Sequence, residues 1–229
     1  MQTGPPDGAR PLPTTERGRH TRAAIIDAAA TLMYERGVAM TSLDEVLAAA
    51  GSGKSQLYHY FSSKSDLVGA VIERQLEWVL EEQQPYLDHA DSWKGIQEWA
   101  ARYLDLHAPP EGPFACPLGT MAAELKNDEA FRPLLDAAFR QWEMRLADGL
   151  RAMKKRGEIK RSADPDRLAA MVIAALQGGM LLARVRDDVT VLQDALSSAI
   201  AELHRWESPS RRTRDAQPAA RTRSTRHRL

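Results

Sequence analysis

Ser42-Leu-Asp-Glu-Val-Leu-Ala-Ala-Ala-Gly-Ser-Gly-Lys-Ser-Gln-Leu-Tyr-His-Tyr-Phe61 is the stretch whose reading decides the fold. Its first four residues form a capping box, in which the Ser42 hydroxyl and the Glu45 carboxylate satisfy each other's orphan amides at a helix start. Leu43, Val46, Leu47 and Ala50 then recur at i, i+3, i+4 and i+7, one apolar face of a short helix. Gly51 ends that helix, and a second one is predicted from about Gly53 to Tyr60. Leu57 and Phe61, four apart, anchor the second helix to a core and leave Lys54, Ser55, Gln56, Tyr58 and His59 outside. A capped helix, a tight Gly-containing turn and a short second helix make a helix-turn-helix.

The outward residues suit a helix that meets bases at its N-terminus and phosphates at its flanks. Gln56 can pair bidentately with adenine, and Lys54 can donate to guanine or to a phosphate. Lys64 opens the following helix, where an ammonium and free amides together can clamp a phosphate, and Thr41 and Ser42 can do the same at the start of the first helix. The bland alternative is the solvated face of an ordinary bundle; cap, turn and paired aromatic anchors in series weigh against it. A second rival is a phosphate loop, since Ala48-Ala-Ala-Gly-Ser-Gly53-Lys54-Ser55 fits a loose form of that pattern. A phosphate loop needs a strand before it. Here a capped amphipathic helix precedes it, so the match is fortuitous.

Working outward, the same helical grammar continues. Ile25, Ala29, Leu32 and Met33 share a face of a helix from Arg19 to a stop at Gly37. Ser63 caps a long helix from Lys64 towards Gln84, stopped by Pro85. Further helices are predicted at Trp93 to His107, Pro117 to Lys126, Glu129 to Arg156, Pro165 to Arg186 and Val189 to Trp206. Pro133 is tolerated in the third of these because it falls in the first turn. No run of alternating β-branched residues exists, so the fold class is all-α: a three-helix DNA-binding unit at 17–64 and a helical body at 65–207. Residues 1–16 and 208–229 read as a disordered arm and a disordered Arg-rich tail.

Composition narrows the classes. A chain that is 43% hydrophobic and 27% charged is an ordinary globular protein. No uninterrupted apolar run approaches the ~20 residues of a membrane helix, and the N-terminus lacks the apolar core of a signal peptide, so a cytoplasmic protein is expected. The net charge of zero conceals segregation. Residues 1–75 carry 8 basic and 8 acidic side chains, residues 76–207 carry 16 and 22, and residues 208–229 carry 7 and 1. The tail could add sequence-independent attraction to DNA or simply solubilise the chain.

Taken together, these residues resemble the TetR/AcrR transcriptional regulators. The resemblance runs from Thr21 to Ile72, through Ala28-Ala29, Leu32, Gly37, Thr41-Ser42-Leu43, Val46, Ala49, Gly51, Leu57-Tyr58-His59-Tyr60-Phe61, Ser63-Lys64 and Leu67. Gly53 departs from the pattern, as do Leu47-Ala48, where an Ile-Ala pair is usual. The segment Phe114 to Leu125, with its Cys-Pro-Leu-Gly, and residues 175–183 resemble one branch of the family. The resemblance implies a dimer that binds a palindromic DNA operator, through Thr41, Ser42, Lys54, Ser55, Gln56, Tyr58, His59 and Lys64. It also implies release by a small molecule bound in the C-terminal body, most often as a repressor.

In that body, Leu168, Met171, Val172, Ala175, Gly179 and Leu182 form an apolar stripe, which Ile173, Leu176 and Met180 widen beyond what one core needs. Leu192, Ala195, Leu196, Ala199, Leu203 and Trp206 form another. Two such helices from each of two copies give a homodimeric four-helix bundle over residues 165–206, the alternative being an internal hairpin. Gly178-Gly179 in a helix interior points to close approach of another helix. The candidate lining of an effector pocket is Trp78, Trp99, Tyr103, Leu104, Phe114, Cys116, Met121, Phe139 and Trp142, suited to an apolar or aromatic molecule. Each of these also fits a plain core. Cys116, the sole cysteine, is either a small hydrophobe or a redox sensor. The histidines at 20, 59, 89, 107, 204 and 227 have no metal-ligand spacing, and no nucleophile elbow or carboxylate pair is present, so no metal, cofactor or enzymatic activity is expected.

Overall fold

The computed structural model describes residues 10, 12–107 and 115–209. The predicted arm, the Arg-rich tail and Phe114 therefore lie largely or wholly outside the described residues. Those residues form nine helices: α1 (Glu16–Arg36), α2 (Leu43–Ala49), α3 (Lys54–Tyr60), α4 (Lys64–Glu82), α5 (Trp93–His107), α6 (Pro117–Glu124), α7 (Arg132–Arg156), α8 (Pro165–Arg186) and α9 (Thr190–His204). Among them there is no strand, only a single antiparallel bridge between Ile159 and Glu207.

Most boundaries follow from caps. α1 begins at Glu16 rather than Arg19 because Thr15 accepts the Gly18 amide at 3.1 Å, and it ends at Gly37, whose φ of 88° a side chain would strain. The box at α2 is formed: Glu45 N donates to Ser42 Oγ at 3.2 Å and Ser42 N donates to Glu45 Oε2 at 2.9 Å. Gly53 is the N-cap of α3 and not an interior residue, so its poor helix propensity costs that helix little. α7 starts at Arg132, later than the expected Glu129, with Pro133 in its first turn. Asp164 caps α8 by accepting the amides of Asp166 and Arg167.

α1, α2 and α3 close over Ile25, Ala29, Val46, Leu57 and Phe61, and α4 runs from this unit into the body. There α4, α5, α6 and α7 surround Trp99, Trp142, Leu118 and Met121, all essentially inaccessible to solvent. α8 and α9 form a hairpin packed on α7 and α5. Glycines mark two tight approaches. A Cβ at Gly149 of α7 would fall 2.3 Å from the Ala90 carbonyl oxygen, and one at Gly179 would meet Ala195 and Leu192 of α9 at 3.0 and 3.1 Å.

α8 is long and apolar enough to cross a membrane by length and composition, although its polar interruptions leave no unbroken apolar run. Its hydrophobicity is divided between two faces. Leu168, Val172, Leu176, Gly179 and Ala183 are buried against the bundle, whereas Leu181, Leu182 and Val185 are 63%, 43% and 75% exposed. Leu182, expected on the inner stripe, belongs to this outer face. Gly178 also points outward, with nothing within 4 Å of a Cβ built there, so the close approach inferred for the glycine pair is made by Gly179 alone, within the chain.

Candidate nucleic-acid interface and enclosed cavity

The α2–turn–α3 unit is fixed from inside and open outside. Gly51, at φ 60°, makes the turn, and Ser52 N donates to Leu47 O at 3.0 Å. Leu57 and Phe61 are 1% and 2% exposed, while Lys54, Ser55, Gln56, Tyr58 and His59 face solvent. The Arg22 guanidinium lies 5.3 Å from the Phe61 ring centroid and braces α1 against the end of α3. Two outward residues also have local duties. Gln56 Oε1 accepts the Gly53 amide at 3.0 Å, so its amide nitrogen is the half left for a base. Lys54 lies 2.9 Å from Asp44, and the hydrogen bond to that carboxylate raises the ammonium's pKa. Both partners are well exposed, so a phosphate can displace the pair at small cost.

Thr41 departs from the expected interface. It is 1% exposed, and its hydroxyl donates to Gly37 O at 2.8 Å, closing the α1–α2 loop instead of reaching outward. Ser42 is exposed but engaged in the capping box. Lys64 is half-buried and donates to Val38 O at 2.7 Å, which leaves two ammonium protons for another acceptor. The same loop is held from the body: Glu124, the last residue of α6, accepts Val38 N at 2.8 Å and Ala39 N at 2.7 Å. Sequence reading did not single out Glu124, whose partners lie 85 and 86 positions away.

Behind this unit lies a cavity of about 220 Å³ lined by residues of α1, α4, α5 and the start of α6. Of the residues expected to line a pocket, Trp78, Tyr103 and Cys116 do. Trp99, Met121 and Trp142 do not: each is 1% exposed or less and belongs to the core, and both indole N–H groups donate to one oxygen, Gln83 Oε1, at 3.0 and 3.2 Å. Leu104 packs on the core without reaching the cavity. Phe139 lines a separate, open groove of about 710 Å³ with Thr120, Gln177, Leu181 and Val185, a groove that meets the first cavity at Cys116.

The other lining residues were missed by sequence reading, among them Tyr34, Glu82 and His107. His107 sits one turn beyond Tyr103, and the rings stack at 4.5 Å. Its Nδ1 lies 2.7 Å from Tyr103 O, which can only accept, so Nδ1 carries the proton and Nε2 keeps its lone pair. Burial holds the His107 pKa below its ordinary value, and burial raises those of Tyr34, Tyr103 and the Cys116 thiol. A buried thiol in its protonated form is a small hydrophobe and a weak nucleophile. Cys116 Sγ also accepts the Gly119 amide, at 3.4 Å, as the N-cap of α6.

A recognition-type helix on a three-helix unit, joined to an all-α body with a cavity, defines a helix-turn-helix DNA-binding protein. Residues 25–71 match the family described as bacterial regulatory proteins, tetR family, and residues 94–199 match the tetracyclin repressor-like C-terminal domain. An HTH-type transcriptional regulator of Lactococcus lactis subsp. lactis is 32% identical over 181 residues, covering 76% of this chain and 89% of that protein. The transcriptional regulator AcuR of Cereibacter sphaeroides is 28% identical over 167 residues, 71% of this chain and 75% of its own. The crystal structure of a TetR transcriptional regulator from Chloroflexus aurantiacus superposes with a TM-score of 0.70 at 25% identity, covering 86% of this chain and all of that one. The chain belongs to the TetR family of transcriptional regulators. Proteins of this family bind DNA through the helix-turn-helix, act as dimers with small-molecule effectors, and are not enzymes.

Proposed function

We propose that this chain is a cytoplasmic, ligand-responsive repressor that binds a palindromic operator as a homodimer and leaves it when a small aromatic molecule fills the cavity behind α1 and α4. Ser42, Lys54, Ser55, Gln56, Tyr58, His59 and Lys64 are the DNA-contacting set; the Thr41 hydroxyl is not part of it. The outer face of α8, with Gly178, Leu181, Leu182 and Val185, is the dimer contact within residues 165–206. A helix apolar on both faces in a soluble bundle has a reason for its second face when another copy covers it.

The observation that carries the regulatory part is a shared wall. Tyr34, which lines the cavity, stands on α1 three residues before Gly37, and Trp78 and Glu82 stand on the helix whose first residue is Lys64. A molecule in the cavity therefore touches both helices that frame the helix-turn-helix. The test is selection of bound sequences from a random duplex pool, followed by Tyr58→Ala on the selected site. Tyr58 is 49% exposed, so its loss should leave the melting temperature unchanged and lower affinity by 10-fold or more. Selection that yields no palindrome, or full affinity in the variant, refutes the reading.

A further inference from the structure

The polar groups lining the cavity are unequally spent. Four of its donors are engaged: Tyr34 Oη donates to Ala115 O at 3.0 Å, Tyr103 Oη to Met180 Sδ at 2.9 Å, Gln83 Nε2 to Val79 O, and His107 Nδ1 to Tyr103 O. Gln83 Oε1 is filled by its two indoles. What remains is mainly accepting or negative. Glu82, exposed to solvent while it lines the cavity, has no hydrogen bond or ion pair among the described residues, and neither has Nε2 of His107, a side chain only 6% exposed. Tyr34 Oη retains lone pairs. Among the described residues, the Trp78 indole N–H and the Cys116 thiol, a weak donor, have no acceptor.

The walls between these acceptors are the rings of Tyr34, Trp78 and Tyr103, whose π-faces are negative as well. Among the described residues, no Lys or Arg lines the cavity. Two cations stand nearby. Arg74 lies 5.1 Å from the Trp78 ring centroid, but it is paired with Asp27, Glu77 and Glu81. Arg184 is exposed and lines the neighbouring groove, from which its charge opposes the rise that burial imposes on the Tyr34 pKa. The space amounts to about seven water volumes, enough for one ring with a short arm.

We propose that the cavity is specific for a small aromatic amine in its protonated form, the ring lying among Tyr34, Trp78 and Tyr103 and the ammonium donating to Glu82 and to Nε2 of His107. The assignment rests on the reading of this cavity as the effector site and adds the charge and size of the occupant. A carboxylate ligand would face Glu82 with no cation in the wall to answer it. A neutral hydrocarbon would leave the His107 nitrogen dry and unpaired, a cost that an ammonium proton removes.

The test uses the full chain and three probes of one shape: 2-phenylethylammonium, 2-phenylethanol and 3-phenylpropanoate, measured by calorimetry and by release of the selected operator. The amine is expected to bind at least 10-fold more tightly than the alcohol, and the carboxylate not measurably. Glu82→Gln should abolish the preference of amine over alcohol, and Glu82→Lys should turn it towards the carboxylate. A merely structural role for Glu82 would move all three affinities together. Preference for the alcohol or the carboxylate, with operator release, overturns the charge assignment and leaves the effector cavity standing. Binding of none of the three overturns both.

Discussion

Replacing Glu124 with alanine removes both carboxylate hydrogen bonds that the body makes to the α1–α2 loop. At 2.8 and 2.7 Å they are short, charge-assisted contacts to the amides of Val38 and Ala39. Buried bonds of this kind contribute about 1.5–3 kcal/mol each. Glu124 and Ala39 are exposed and only Val38 is buried, so solvent replaces much of the lost bonding, and a total of about 1–3 kcal/mol is the reasonable expectation. For a chain of this size that lowers the melting temperature by roughly 3–10 °C. Glu124→Gln should fall between, because its amide oxygen can accept one N–H while its NH₂ faces the other. If about 1 kcal/mol of loop order is lost in each protomer of a bound dimer, operator affinity falls roughly 30-fold. Differential scanning calorimetry and fluorescence anisotropy on the selected operator measure the two effects. An alanine variant with unchanged melting and unchanged affinity would refute the reasoning, since the loop would then hold its shape without α6.

Three further outcomes follow from particular contacts. Gly149→Ala places a methyl against the Ala90 carbonyl, backbone that cannot rotate away, and should cost about 1–3 kcal/mol in urea unfolding; a neutral result would mean α7 can slide. Leu181→Glu with Val185→Glu leaves the fold intact, because both residues are exposed, yet should convert a species of twice 25.5 kDa to a monomer in sedimentation; a variant that stays dimeric places the interface elsewhere. His107 is held neutral by burial, so the unfolded chain binds more protons than the folded one once pH drops below the ordinary value of 6.5, and stability should decline on acidification from there. In His107→Gln that part of the pH slope should vanish, and an identical slope in both proteins would contradict it.

The local part of the architecture was legible because it is written in caps and periods. Ser42, Ser63, Gly37 and Pro165 mark ends that depend on a few neighbouring atoms, and the two-faced apolarity of α8 is visible from spacing alone. The cavity was not legible, because lining is a property of helix crossings. Trp99 and Trp142 look like pocket aromatics until a single Gln83 is found accepting from both, across sequence separations of 16 and 59. Tyr34 lies on a helix whose pattern assigns it to the DNA-binding unit. Glu82 sits in an acidic pair that reads as a solvated helix end, and it is exposed there as well as lining the cavity. A signal for His107 was present, since Trp99, Tyr103 and His107 recur every four residues on the inner side of α5. Thr41 failed for the opposite reason: polar residues before a helix usually face water, and this one is folded under to satisfy Gly37.

These placements converge on one residue, Val38. The Val38 amide is held by Glu124 of α6, and its carbonyl is held by Lys64 of α4. Both helices border the cavity or its entrance: α4 contributes Trp78 and Glu82, and Pro117 opens α6. An occupant that separates the two helices cannot preserve both contacts, because Val38 can follow only one of them. α4 spans Lys64 to Glu82, about 28 Å at the usual rise, so a tilt of roughly 5° at the cavity displaces its far end by about 2 Å. Two recognition helices in successive major grooves require a separation of about 34–36 Å, and a shift of that size in each protomer spoils the match without any contact to DNA. The occupant must favour the displaced arrangement by about 2.7 kcal/mol to weaken binding 100-fold. Glu82 is exposed, so a charge-assisted bond made to it only in that arrangement supplies part of this difference, and contacts of the ring must supply the rest.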